Sequence, residues 1–327
     1  MKKSLALVLP LSILVVVCSA NPEDLSVFKT ALGSISHAVR NYSSDFNNAI
    51  QSTELQGVID EVDKSMLGFE GTAKNHLDGV RSMNSEARLL YSKAKGLVFE
   101  WCVAINSSLE IYINNKDLPE LSDNDKKFMW KMIVNGLNQG LITTSDSFEF
   151  LKKMKQQRDK LRVDLDAMKR DLTFDLGPQG IYEKRTQNLI LKDRELNRQL
   201  ASEIRQNFIG NRIDSRFVSE ATNCLDTTFT GVKQSRQEDK NKVIESYKPL
   251  DQEIGKASQL ATIPDVDVED DKTKINALIL RISNEASKEK VILENEPDSQ
   301  AELVPFMQTL LNDCTKYAEK VVNKNRH

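Results

Sequence analysis

An apolar seam at alternating steps of three and four residues constrains this chain more than any other feature. From Leu25 it runs through Phe28, Leu32, Ile35, Val39, Tyr42, Phe46 and Ala49, the spacing that lays one stripe along an α-helix packed lengthwise on another. It resumes at Leu55, Val58, Val62, Met66, Phe69 and Ala73, then at Leu90, Ala94, Leu97, Trp101 and Ala104. No proline falls between Pro22 and Pro119. Asn21 can cap the first turn, and Pro22 suits its first position. If the stretch is mostly helical it reaches on the order of 130 Å, or half that if it folds once, so a rod-like molecule is expected.

The remainder repeats the pattern between breaks. Asn114 to Asp125, with Pro119 and Ser122-Asp123-Asn124-Asp125, reads as a connection ending in a helix cap. In the next helix Leu151, Arg158, Leu165 and Leu172 lie seven apart beside a parallel line of Met154, Leu161 and Met168, and Gly177-Pro178-Gln179-Gly180 ends it. Leu189, Leu196, Leu200, Ile204 and Phe208 follow at helical spacing, then a less regular region from Ile209 to Gly231. Residues 233 to 260 read as helix with a kink at Pro249, and Ala261 to Asp271 as an acidic loop. Ile275, Leu278, Ile282 and Ala286 mark another helix. A last one places Leu303, Phe306, Leu310, Cys314, Tyr317 and Val321 on one face. Aromatic residues make up only 6% and charged residues 28%, a mix that suits long helices better than a sheet core. Short connections make neighbours antiparallel, so the expected fold is all-α: an elongated antiparallel bundle of about five long amphipathic helices.

Lys2 and Lys3, the apolar run Leu5 to Val17 and the small-residue step Cys18-Ser19-Ala20 form the layout of a secretory signal peptide. The apolar run is too short for a comfortable membrane span, and Val17 before Cys18 argues against lipid attachment. Residues 1 to 20 are therefore expected to be removed. Residues 21 to 327 would then be a single elongated, secreted domain. The formal net charge is −3, and losing two lysines makes it more acidic. No basic surplus exists to neutralise phosphates, which excludes nucleic acid as a partner.

Few residues are arranged for chemistry. His37, His76 and His327 lack partners at ligand spacing, so no metal is expected. The acidic group Asp265, Asp267, Glu269, Asp270 and Asp271 has Asp270 where a calcium loop needs glycine. There is no phosphate-cradling glycine loop and no nucleophile elbow, so neither a cofactor nor a small-molecule substrate is expected, and the chain does not read as an enzyme. Asn41-Tyr42-Ser43 and Asn106-Ser107-Ser108 match the glycosylation pattern but lie within predicted helices. After signal removal Cys102, Cys224 and Cys314 remain. Cys102 sits on a helix with two adjacent apolar stripes, Leu97, Trp101 and Ala104 beside Val98, Cys102, Ile105 and Leu109. Cys314 faces inward with Leu310 and Tyr317. Periodicity alone leaves open a bridge between them or two buried thiols.

The stretch Tyr91 to Ala104, with Glu100-Trp101-Cys102 at its heart, followed by Leu109-Glu110-Ile111-Tyr112-Ile113, resembles the Glu-Trp-Cys helix of the cytolysin A (haemolysin E) α-helical pore-forming toxins. Leu310 to Tyr317 is similar to their C-terminal cysteine helix. Lys127 to Asp171 aligns more loosely between them. The resemblance implies a tall helical bundle in which Cys102 and Cys314 pair. It also implies release as a soluble monomer, rearrangement at membrane lipid, outward swing of an amphipathic N-terminal helix and homo-oligomerisation into a ring. Leu25, Phe28, Leu32, Ile35, Val39, Tyr42 and Phe46 are the candidates for that inserting helix, although such a stripe serves a bundle core equally well.

One departure stands out. Those toxins carry an apolar tongue, whose place here is the divergent region of about residues 177 to 231. That region is crossed by Lys184, Arg185, Lys192, Asp193, Arg194, Glu195, Arg198, Glu203, Arg205, Arg212, Asp214, Arg216, Glu220 and Asp226, each costing about 2–3 kcal/mol to place in hydrocarbon. A partner toxin component would have to supply the apolar segment. The alternative is a secreted helical-bundle protein that binds or scaffolds without lysis. Cys224, in the same region, is a candidate unpaired thiol.

Overall fold

The computed structural model describes residues 22–43, 52–210, 215–262, 268–286 and 302–324. They form helices α1 (Pro22–Ser43), α2 (Ser52–Ser65), α3 (Leu77–Asn115), α4 (Asp123–Leu176), α5 (Ile181–Gly210), α6 (Ser215–Ala261), α7 (Val268–Ala286) and α8 (Val304–Lys324), with a 3-10 turn at Thr72–His76. No strand occurs among the described residues. The all-α bundle expected from the seams is the fold observed. The predicted leader, Phe46, Ala49 and His327 lie outside the described residues.

The chain divides into two compact units, one drawing on Met1–Phe46, Lys93–Glu149 and Asp267–His327, the other on Asn47–Ser92 and Phe150–Val266. In the first, α1 packs along α8 and against α7. Its core joins Phe28, Leu32, Ile35 and Val39 of α1 to Val98, Cys102, Ile105 and Leu109 of α3, Ile133, Leu137 and Leu141 of α4, Leu303 just before α8, and Met307, Leu310 and Cys314 of α8, all buried. Ser122 begins α4 as a reciprocal cap: its Oγ accepts from the Asp125 backbone N–H at 3.2 Å, and the Asp125 carboxylate accepts from the Ser122 N–H at 3.2 Å.

In the second unit α2 packs on α6, and α5 pairs with α6. Leu55, Ile59 and Val62 join Leu161, Leu165, Met168 and Leu172 of α4 and Leu250, Ile254 and Ala257 of α6 in one closed core. The long N-terminal seam is not one rod. α2 ends at Ser65, and the chain turns through Met66 to His76 before α3. Met66, Phe69 and Ala73 keep their seam spacing and their burial through this turn, which hides it from a periodicity argument. Asp175, 2% exposed, holds it: its carboxylate accepts from the Ala73 N–H at 2.9 Å and from Thr72 Oγ1 at 3.1 Å. Gly71 lies so close to that carboxylate that a Cβ there would overlap it.

Three further readings are corrected. The acidic loop ends earlier than expected, because Glu269, Asp270 and Asp271 lie in the first turn of α7; Asp265 and Asp267 lie outside the described residues. From Leu303, just before α8, the core register runs through Met307, Leu310, Cys314 and Tyr317, with Phe306 at 40% exposure. Starting the steps with four rather than three selects the methionine. In α5 two residues of the predicted seam face out, Leu196 and Leu200 at 57% and 48% exposure, while Leu189 and Ile204 are half-buried. α6 continues through Pro249 from Ser215 to Ala261.

Candidate functional site

Of the residues singled out for function, the candidate inserting stripe lies on α1 and Cys102 and Cys314 lie in the same compact unit, while Cys224 lies on α6 in the other. Phe28, Leu32, Ile35, Val39 and Tyr42 are all buried, none more than 2% exposed; Leu25 lies earlier in the same helix. Fully burying such side chains stabilises by about 1.5–3 kcal/mol each, so α1 is held chiefly by apolar packing. Phe28 tilts against Trp130 at 5.7 Å between ring centroids, and Tyr42 meets the edge of Tyr317 at 6.4 Å.

Polar contacts fix its register. Ser36, 2% exposed, donates its hydroxyl to Asp313 of α8, and Arg40 approaches the same carboxylate at 3.4 Å. The Tyr42 hydroxyl bonds with Ser147 of α4, whose Oγ lies 3.3 Å from the Ala94 carbonyl. Lys29 reaches Glu302 at 2.6 Å on the surface. These side-chain bonds form a latch in which the Asp313 carboxylate, 12% exposed, is the charged acceptor. On its other flank α1 borders a cleft of about 250 Å³ lined by Thr30, Gly33, His37, Phe148, Lys274 and Ile275, so one side of the helix is close-packed and the other is not.

Beneath α8 the cysteines meet. Cys102 and Cys314, each 0% exposed, are bridged with 5.0 Å between their Cα atoms. Of the two stripes on α3, Val98, Cys102, Ile105 and Leu109 form the buried one, while Ala104 of the other is exposed. Trp101 escapes that fate by crossing to α4. Its Nε1 donates to the Gly136 carbonyl at 2.9 Å, and its ring lies where a Cβ at Gly140 would stand; Ile105 occupies the equivalent place at Gly136. Glycines four apart on α4 thus admit the tryptophan. The Tyr317 hydroxyl donates to the Lys95 carbonyl at 3.0 Å, adding a polar tie between α8 and α3 beside the disulfide.

The region of residues 177–231 is built on the opposite plan. α5 and α6 form a hairpin whose facing sides are substantially polar: Asn197 Nδ2 donates to Asp226 at 3.1 Å, Arg236 pairs with Asp193 at 3.4 Å, and Lys240 with Glu183 at 2.5 Å. The Lys240 ammonium, and then the Gln187 amide, hold the Glu183 carboxyl below its ordinary range. Leu191, Leu196, Leu200 and Phe217 are meanwhile 48–60% exposed. Cys224, on α6, is exposed and free.

Among the described residues one stretch, Thr72–Asn115, is long and apolar enough to cross a membrane, with mean hydropathy 1.2 over eighteen residues. A core helix passes the same test, and α3 carries the buried stripe just described. Sequence reasoning missed the latch made by Ser36, Arg40 and Asp313, because single polar residues within an apolar stripe carry no periodic signal. The Gly136/Gly140 spacing was visible, but its purpose was not.

The model of the haemolysin E (HlyE) family matches residues 20–324. The chain belongs to the haemolysin E family. No curated protein matches the sequence. Membership gives a pore-forming toxin-like function in general, in a family of toxins rather than enzymes that is typically secreted and membrane-acting.

Proposed function

We propose that this protein is a secreted pore-forming component of the haemolysin E type, in which α1 is the element that leaves the bundle to enter the bilayer. What carries this reading is family membership over nearly the whole chain together with the form of α1: a continuous apolar stripe of Phe28, Leu32, Ile35, Val39 and Tyr42, latched by polar contacts that include Ser36 with Asp313 and Tyr42 with Ser147. Once free, that stripe suits a hydrocarbon surface as well as it suits a core. The Cys102–Cys314 bridge keeps α8 on α3 while α1 departs from it. In the sequence, Leu25 and Phe46 continue the same three-and-four spacing.

The hairpin at residues 177–231 supports a requirement for a second component. Its side chains include Arg194, Arg198 and Arg205 along α5, which disfavours insertion of that hairpin by itself; a partner toxin component would bring the apolar segment. Assembly would then be a ring of copies on the membrane. Dye release from liposomes by the mature protein, with and without candidate partner components, tests this: leakage with ring-shaped oligomers is expected, and no leakage and no oligomer in any lipid overturns it. The same polar hairpin favours one other reading, a non-lytic secreted bundle that binds or scaffolds, and detergent-stable rings would exclude that.

A further inference from the structure

Between Leu151 and Leu172 the buried seam of α4 carries one charged side chain. One heptad from both Leu151 and Leu165 stands Arg158, 1% exposed, with Nε and Nη1 buried and without a hydrogen-bond partner. Its charged neighbour is another cation. Burial, and next the charge of Arg88 on α3, draw the Arg158 guanidinium down to about 10, which leaves it protonated at neutral pH. Arg88 Nη1 donates at 2.9 Å to the Gln56 side-chain oxygen of α2, not to a carboxylate, and that oxygen also accepts from Asn84 Nδ2 at 2.7 Å. Asn84, 1% exposed and one turn before Arg88, has a buried Oδ1 that lacks a donor. Val80 and Leu161, one turn further along α3 and α4, belong to the closed apolar core.

A buried cation without a counter-charge costs several kcal/mol, and folded proteins normally pair it. Here the buried guanidinium of Arg158 has no carboxylate partner among the described residues, its charged neighbour Arg88 is exposed on the adjacent helix, and two N–H donors of Arg158 are unmade. We propose that the buried Arg158 and the exposed Arg88 form a binding site for a small monovalent anion of halide class, bordered by α2, α3 and α4 and open to solvent at Arg88. The ion accepts from the Arg158 N–H groups and balances the charge that the seam buries. A polyanion is disfavoured, because the apolar core beside the site would strip its larger hydration shell. The site owes nothing to the α1 latch, so it stands or falls independently of pore formation.

The test uses the full mature chain. Thermal unfolding in sodium chloride and in sodium gluconate at equal ionic strength should differ by about 2–4 °C in favour of chloride, saturably. The ³⁵Cl NMR line should broaden in the presence of protein and sharpen again on adding nitrate. Arg158→Met should remove both responses while keeping the helical spectrum, since an apolar chain of similar length fits a buried seam. Arg88→Gln should weaken chloride binding severalfold, and it serves as the reporter if Arg158→Met does not fold. Equal unfolding temperatures in the two salts with an unbroadened chloride line would overturn the site. So would an undiminished chloride response in Arg158→Met or, where that variant does not fold, in Arg88→Gln.

Discussion

The α1 clasp and the α5–α6 hairpin use the same amphipathic helices in opposite senses. In the clasp the large apolar residues face inward, and ions such as Lys29 and Glu302 sit at the rim. In the hairpin the facing positions include Asp193, Asn197, Arg236 and Lys240, while Leu196, Leu200 and Phe217 face out. Apolar burial is worth about 25 cal/mol per Å² and is insensitive to pH. Exposed or half-exposed ion pairs are worth about 0–1 kcal/mol and depend on both salt and pH. The clasp should therefore carry most of the stability, and the hairpin should tolerate change.

The largest expected contrast comes from the cysteines. Cys102→Ser opens a bridge between residues 212 apart and should cost about 2–5 kcal/mol in chemical denaturation; Cys224→Ser, at an exposed free thiol, should change nothing measurable. Equal effects would erase the distinction. Next comes a paired glycine experiment. Gly140→Ala drives a methyl into the Trp101 ring and should destabilise by about 1–3 kcal/mol. Gly231→Ala, with nothing within 4 Å of its Cβ position, should stabilise α6 by about 0.5–1 kcal/mol through helix propensity alone. Thermal melts of the two variants read the sign directly. The smallest effect is acid sensitivity at the hairpin foot. Because the Glu183 carboxyl is held below its ordinary range by Lys240, its contribution is present above the usual carboxylate pKa and is lost as pH falls through the lowered one. Melting of the wild type and Glu183→Gln should therefore converge between about pH 6 and pH 3.

The same contrast explains what could be read from the sequence. Three-and-four spacing identified the buried faces of α1 and α4, because both bury one large side chain per turn. It placed Cys102 and Cys314 on inward faces, but their bridging entered only through the family resemblance. Spacing failed wherever it could not tell which side of a stripe has a neighbour. Leu196 and Leu200 are as periodic as Leu161 and Leu165, yet α5 meets α6 through Asp193 and Asn197 instead. Met66, Phe69 and Ala73 kept the rhythm across a turn whose signals were Gly68 and Gly71. Arg158 was visible in its seam, but nothing in the pattern showed that its guanidinium would be buried with two nitrogens unpartnered.

The most direct test of the account is to lock α1. Ser36 and Asp313 already touch through a hydrogen bond, so Ser36→Cys with Asp313→Cys places two thiols to bridge α1 to α8. Dye release from liposomes should fall to background for the oxidised double variant under conditions where the wild type and each single variant release dye. Release by the bridged protein at the wild-type rate would show that α1 need not leave the bundle, and would contradict the account.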